Sequence, residues 1–266
     1  MSEQRHVGLF DIHGPHEVIL EPSLKEIQKF DPTHLIYGGD TANLEFASHW
    51  NEPIFKELGS GAIRDKLAEE IEYVKKMLAT ICSAVKSTCR KIWIPGNHEA
   101  WLYWIALYRP DLGGGFPKLT LHKDITFKSD LSLKQNKAVK MILESLFETK
   151  RLGIEVLQYN EPLELNGLTY LHGHQLGNDS LKQFPTKNVV HGHYHRHTVK
   201  PGFNSGAPGK PIKHISVPTM GRLNPWFLRN RSSQWENGYW EAVAESASIW
   251  DGRVRRVMNN GRKILS

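Results

Sequence analysis

The sequence predicts an α/β fold: a four-layer αββα sandwich, two mostly mixed β-sheets flanked by helices, with a helical insertion. Three observations carry this expectation. Short apolar runs at 5–10, 34–37 and 91–94 alternate with helical patterns, the rhythm of parallel β-α-β units. The second half turns to hairpins, signalled by Asn166-Gly167 and Asp251-Gly252. Each early strand ends in a tight turn followed by a polar side chain, which is where α/β sheets gather their ligands.

The elements follow in order. After the first strand, Pro22 opens a helix that runs to Phe30, and Asp31-Pro32 stops it. His34 to Tyr37 is the second strand. Ile63, Leu67, Ile71, Val74, Leu78, Ile81 and Val85 step by four and three, one apolar stripe of a long core-facing helix. Lys91 to Ile94 is the third strand. Glu99 to Tyr108 reads as an aromatic helix carrying Trp101, Tyr103 and Trp104, and Asp111 to Gly115 is a flexible break. Ser129 or Asp130 caps another helix to Thr149. The stretch 100–150 is expected to pack beside the site as an insertion or partial lid. Leu163 to Tyr170 alternates about Asn166-Gly167, and strands follow at Asn188 to Val190 and Ile212 to Val217. Tyr239 to Trp250 and Arg253 to Met258 form a second hairpin, with an edge strand at 260–266.

At 266 residues the chain can bury a full core, and residues 1–266 are expected to form one domain. A hydrophobic content of 39% and a charged content of 23% are those of an ordinary soluble protein. The opening MSEQRHVGLFDIHG lacks the basic and apolar segments of a signal peptide, and no run of about 18 apolar residues exists. A cytoplasmic location without membrane contact is expected. Cys82 and Cys89 lie two helical turns apart in this reading, too far for a bridge, and are taken as reduced buried thiols. The formal charge is +6, with Arg222, Arg229, Arg231, Arg253, Arg255, Arg256, Arg262 and Lys263 crowded toward the end. Such an excess draws an anionic substrate or polyanion, and it fits a solvated basic face equally well.

The chemistry lies in five short motifs: Asp11-Ile12-His13, Gly39-Asp40, Gly96-Asn97-His98-Glu99, His172-Gly173 and Gly192-His193-Tyr194-His195. Any one alone is weak, since Gly-Asp is a common turn and Asn-His-Glu a common helix start. All five occur in order, each after a β-like run. Oxygen and imidazole donors without thiolate suit two first-row metals held close together. Such a pair makes hydroxide at neutral pH and clamps a phosphoryl group, which points to phosphate-ester hydrolysis.

This ordered set resembles the calcineurin-like metallophosphoesterase superfamily, over about residues 5 to 197. The resemblance implies a first metal on Asp11, His13 and His195, a second on Asn97, His172 and His193, and Asp40 bridging them. It implies His98 as general acid to the leaving group, with metal-bridging hydroxide attacking phosphorus. The metals would be two divalent ions, Mn²⁺ first, with Fe, Zn, Co or Ni as alternatives. His174 also fits as the fourth-motif ligand, and His172 is preferred because it sits directly at the strand exit. The phosphoprotein phosphatases of that superfamily extend the second motif as Gly-Asp-x-Val-Asp-Arg-Gly. Here Asn43 stands for the second Asp and Leu44 for the Arg, so the chain looks more like the bacterial and phage-type phosphoesterases.

Substrate choice falls to the rim, with Trp101, Arg109 and Arg196 as candidate substrate-binding residues. Trp226, Phe227, Arg229, Arg231 and Trp235 form a second aromatic-basic stretch. Aromatic faces beside basic groups stack nucleobases, favouring a nucleotide or nucleic-acid phosphodiester over a small-molecule phosphomonoester. Two other readings compete. A non-catalytic scaffold of the same fold would have lost ligands, and none of the seven positions is degraded. A nucleic-acid binding module with one structural metal would use a closed four-ligand set, often with Cys.

Overall fold

The computed structural model describes residues 3–48, 52–109, 131–177, 180–207, 209–225, 233–246, 249–258 and 263–265. The first half is built as expected. Strand β1 (Gln4–Leu9) leads to α1 (Leu20–Phe30), then to β2 (His34–Tyr37), α2 (Glu52–Ser83) and β3 (Arg90–Trp93). β2 pairs parallel to both β1 and β3. Helix α1 ends where Asp31 turns left-handed at φ 54, as a residue before proline cannot continue the helix. The predicted stripe of α2 is buried from Ile63 to Ile81. This helix begins earlier than the stripe, with a break at Gly59 (φ 71), and stops at Ser83. Cys89 therefore lies beyond the helix, and both cysteines are free.

Helix α3 (Asn97–Tyr108) starts two residues before the expected Glu99, because the Glu99 carboxylate folds back onto the Gly96 amide at 2.7 Å and closes the first turn. It packs against α4 (Leu131–Leu146). The proposed caps of α4, the Asp111 to Gly115 break and the middle of the 100–150 segment lie outside the described residues. So do Trp226, Phe227, Arg229 and Arg231.

A short strand that the sequence pattern does not signal, β4 (Ile154–Val156), adds parallel to β3. Strands β5 (Leu163–Leu165) and β6 (Leu168–Leu171) form the hairpin about Asn166 and Gly167, both at positive φ as a tight two-residue turn demands. After α5 (Ser180–Gln183), β7 (Asn188–His191) pairs parallel to β6. Strand β8 (Thr198–Phe203) was also unsignalled. It holds Pro201, which is tolerated because β8 is the sheet edge, paired among the described residues with β9 (Pro211–Ser216) alone. Strands β10 (Gly238–Ala244), β11 (Trp250–Met258) and β12 (Lys263–Leu265) complete the chain.

One expected turn is misplaced. Asp251-Gly252 is not the hairpin turn; both residues lie inside β11, whose pairing with β10 extends to Ala244 and Trp250. Gly252 is there because the Trp240 ring lies over it, so that a Cβ would fall 2.4 Å from Trp240 Cζ2.

The strands form two mixed sheets, ordered β12-β11-β10-β1-β2-β3-β4 and β5-β6-β7-β9-β8. Alternate side chains explain the layering. Val7, Leu9, Leu35, Tyr37 and Trp93 face the helices α1 to α4, while Phe10, Ile36, Ile92 and Ile94 meet Tyr170, Val190 and Ile215 of the other sheet. Leu171 and Val189 face outward, where they pack against Leu176 and Phe184. This is the two-sheet α/β sandwich of the sequence reading. Among the described residues no helix is long and apolar enough to cross a membrane.

Candidate metal centre

The carboxyl ends of β1, β2, β3, β6 and β7 carry the five motifs to one rim. The loops after β1 and β2 run side by side: Asp11 N donates to Gly39 O at 3.0 Å, His13 N to Asp40 O at 2.9 Å and Gly14 N to Thr41 O at 3.0 Å. Glycines make this approach possible. A Cβ on Gly96 would sit 2.2 Å from Asp40 Oδ1, and one on Gly39 (φ 91) 2.4 Å from the His172 ring.

Five candidate ligands adopt left-handed backbone: Asp11 (φ 51), His13 (φ 52), Asp40 (φ 47), His193 (φ 69) and His195 (φ 56). Each such residue costs about 1–3 kcal/mol, and strain concentrated in this way marks functional loops.

The side chains converge in three overlapping groups: Asp11, His13 and His195; His13, Asp40 and His98; and Asp40, His172 and His193. Within each group the ligand atoms lie within 4.8 Å of one another. His195 Nε2 is 3.2 Å from Asp11 Oδ1 and 3.2 Å from His13 Nε2. His172 Nε2 is 3.2 Å from Asp40 Oδ2 and 3.1 Å from Asn97 Oδ1. Its other nitrogen donates to Gly38 O at 3.0 Å, which fixes the ring and aims Nε2 into the site. The second oxygen of each aspartate holds a loop: Asp11 Oδ2 accepts from His193 N at 2.8 Å, and Asp40 Oδ1 from His98 N at 2.9 Å.

All seven predicted ligand positions therefore meet on this rim. Of the two fourth-motif histidines, His172 reaches Asp40, whereas His174 Nε2 pairs with the Tyr159 hydroxyl at 2.9 Å. His191 stays in β7, buried, with Nδ1 3.0 Å from Gly192 O.

The donor set fits cations. Asp11 Oδ1 is buried, faces His195 Nε2 at 3.2 Å and accepts no well-formed hydrogen bond among the described residues. The His13 and His195 Nε2 atoms face each other, and two imidazole lone pairs at that separation need a proton or a metal between them. Burial holds His13 well below the usual imidazole range and His193 at about 4, so both favour the neutral, metal-binding form. Burial would also lower His172, but the adjacent Asp40 carboxylate outweighs it and lifts His172 to about 9. Asp40, despite its burial, is driven well below the carboxylate range by His172 and His98.

His98 stands apart from the ligands it adjoins. Its Nδ1 donates to the main-chain carbonyl of Asn43, leaving Nε2 3.6 Å from Asp40 Oδ2. The main-chain carbonyl of Asn43 thus fixes the orientation of the His98 ring. The ring stacks on Trp101, centroids 4.0 Å apart and 27° from parallel.

Glu99 was not singled out for the site, although its capping pattern was visible. It is fully buried, and burial, with Asp40 nearby, raises it to about 7. Its two oxygens accept the amides of Asp40 (2.9 Å), Thr41 (2.8 Å), Ala42 (3.1 Å) and Gly96 (2.7 Å).

A cavity of about 510 Å³ opens over this cluster, bounded by Trp101, His16, Glu45, Arg222, Asn224 and Trp235 besides the cluster itself. Trp235 stands edge-on to His195, centroids 4.2 Å apart. Arg109 does not line this cavity; one of its guanidinium nitrogens is 3.4 Å from Ser60 Oγ on α2. Arg196 does not line it either, and donates to Gln234 Oε1. Three of the C-terminal arginines are locally paired: Arg253 and Arg255 reach Glu241 at 3.2 and 3.4 Å, and Arg256 lies 3.7 Å from Glu236.

Fold and site together define a two-sheet α/β protein with a buried Asp/His cluster able to hold metal ions. No family model and no curated protein matches the chain. Among solved structures, a conserved uncharacterized protein from Streptococcus pneumoniae TIGR4, described as a predicted phosphoesterase, is similar. It is 9% identical, with a TM-score of 0.36, over 96% of this chain and 99% of that one. A likeness so slight says nothing of activity, which rests on the site itself.

Proposed function

We propose that the protein is a dinuclear metal-dependent phosphoesterase, with nucleotide or nucleic-acid phosphodiesters as its substrates. The observation that carries this is the overlap of the ligand groups: His13 and Asp40 are each shared, so the cluster runs unbroken from Asp11 to His193. A single structural ion needs four ligands in a closed shell; seven in a continuous arc with an open cavity above them suit two ions and a substrate. Asp11, His13 and His195 would hold one, Asn97, His172 and His193 the other, and Asp40 both. Two divalent ions there, Mn²⁺ being the first choice, supply a water ionised near neutral pH and positive charge for the phosphoryl oxygens.

The chain's own residues do the rest. The carbonyl of Asn43 accepts a hydrogen bond from His98 Nδ1–H, so Nε2 is the ring nitrogen free to act. His98 entering the reaction as the imidazolium would deliver its Nε2 proton to the departing oxygen and be left as the neutral Nδ1–H ring. Trp101 supports the face of that ring and lines the cavity, where it shapes the room left for the leaving group. Helix α3 carries Trp101 from the end of β3 to the wall of the cavity.

The test is hydrolysis of a bis-aryl phosphate by Mn²⁺-loaded protein, beside an aryl monoester, a cyclic nucleotide and single- and double-stranded DNA. Diester turnover above monoester turnover is expected. Monoester preference would move the reading to a small-molecule phosphomonoesterase, and no turnover of any ester would favour a non-catalytic scaffold.

A further inference from the structure

Among the described residues lining the cavity, Arg222 is the sole permanent cation. Its starting point is fixed by the first ligand loop. Gly221 bridges to Glu17, and a Cβ on Gly221 would lie 3.3 Å from His13 Cβ. Thr219 Oγ1 donates to Asp11 O at 2.7 Å. Asn237 Nδ2 donates to Thr219 O at 3.1 Å and to Gly221 O at 2.8 Å. The chain is thus fastened to Asp11 and His13 just before it releases the Arg222 side chain. That side chain is exposed and has no ion-pair partner among the described residues. The carboxylate on the same wall, Glu45, is engaged elsewhere: Oε2 accepts from Asn43 Nδ2 at 3.3 Å and lies 3.9 Å from His16 Nε2.

A guanidinium without a carboxylate, in a concave site, presents its planar fork to phosphate. The phosphate under attack would be neutralised by the cations, so this extra charge is surplus to it. A cavity of about 510 Å³ also has space beyond one phosphoryl group. Resting on the phosphoesterase reading, we propose that Arg222 receives a second anionic group next to the phosphate held at the Asp/His cluster. The site then selects substrates with successive phosphates, as along a polynucleotide backbone, over an isolated phosphodiester.

The experiment is calorimetric titration of the Mn²⁺-loaded protein with a nucleoside 5′-monophosphate and with the matching 3′,5′-bisphosphate. The wild type should bind the bisphosphate at least about tenfold more tightly. Arg222→Gln should bring the two affinities to within about twofold, and Arg222→Lys should keep part of the preference, since lysine retains the charge without the fork. Equal affinities in the wild type, or an unchanged ratio in Arg222→Gln, would overturn the proposal. Bis-aryl phosphate hydrolysis measured in parallel separates the two failures. A protein that hydrolyses it but binds both nucleotides equally sinks only the role of Arg222. A protein that neither hydrolyses it nor binds the monophosphate sinks the phosphoesterase reading and this inference with it.

Discussion

The Glu99 carboxylate accepts the main-chain N–H of Asp40 at 2.9 Å, and through its other bonds to Gly96, Thr41 and Ala42 it fastens the turn after β2 to the turn after β3. Asp40 and Asn97 sit on those two turns, so this buried side chain, together with the His98 N–H bond to Asp40 Oδ1, sets their relative position. Glu99→Ala leaves four buried amides without acceptors. A loss of about 3–5 kcal/mol in urea unfolding is expected, together with weaker Mn²⁺ binding. Glu99→Gln keeps one acceptor oxygen and should fall between. An unchanged unfolding midpoint in Glu99→Ala would refute the clamp.

Asp40→Ala and His98→Ala separate holding the metals from moving a proton. Asp40→Ala should lower bound Mn²⁺, read by elemental analysis after desalting, and abolish turnover. His98→Ala should keep the metal content and lose about 10²–10⁴ in rate, with the smallest loss on aryl esters whose leaving groups need no proton. Substantial activity in Asp40→Ala would contradict the shared-ligand role.

Gly96→Ala tests the close approach of the loops. The new methyl group would start 2.2 Å from Asp40 Oδ1 and 2.4 Å from Asp40 N, both in a rigid turn. A stability loss of about 2 kcal/mol or more and reduced Mn²⁺ binding are expected. Wild-type metal content and unfolding would show that the loops stand further apart.

Glu70 gives a pH dependence outside the site. It lies on α2, accepts the Leu44 amide, and is pushed from 4.5 up to about 8 by burial. The folded protein thus holds this proton more tightly than the unfolded chain. Its contribution is fully present below pH 4.5 and is lost as pH rises from there through about 8, by up to about 1.4 kcal/mol per pH unit. Glu70→Gln keeps an acceptor for Leu44 and removes the titration. Its advantage over the wild type in urea should grow across that window; parallel stability profiles would rule out a buried neutral Glu70.

The sequence showed the site more fully than its surroundings. Asp11, His13, Asp40 and His195 follow parallel strands, and the convergence of parallel strand ends is a property of the fold class, so residues more than 180 positions apart could be expected together. Glu99 looked like an ordinary helix start because local spacing shows only its bond to Gly96; the bonds to 40–42 depend on the β2 turn. The rim was less legible. Arg109 and Arg196 were chosen for nearness in sequence to Asn97 and His195, but α3 carries Arg109 toward Ser60, and Arg196 turns outward to Gln234. Arg222 reaches the cavity through the pairing of 219–221 with the Asp11 loop, a contact that spans about two hundred residues and leaves no local pattern. β4 and β8 were missed because one has three residues and the other contains proline and glycine.

The most direct test of the paired-cation site is anomalous diffraction from crystals grown with Mn²⁺. Two peaks about 3.5–4 Å apart are expected, one among Asp11, His13 and His195, the other among Asn97, His172 and His193, with Asp40 reaching both. A single ion in a closed four-ligand shell, or ions bound away from these side chains, would contradict the account.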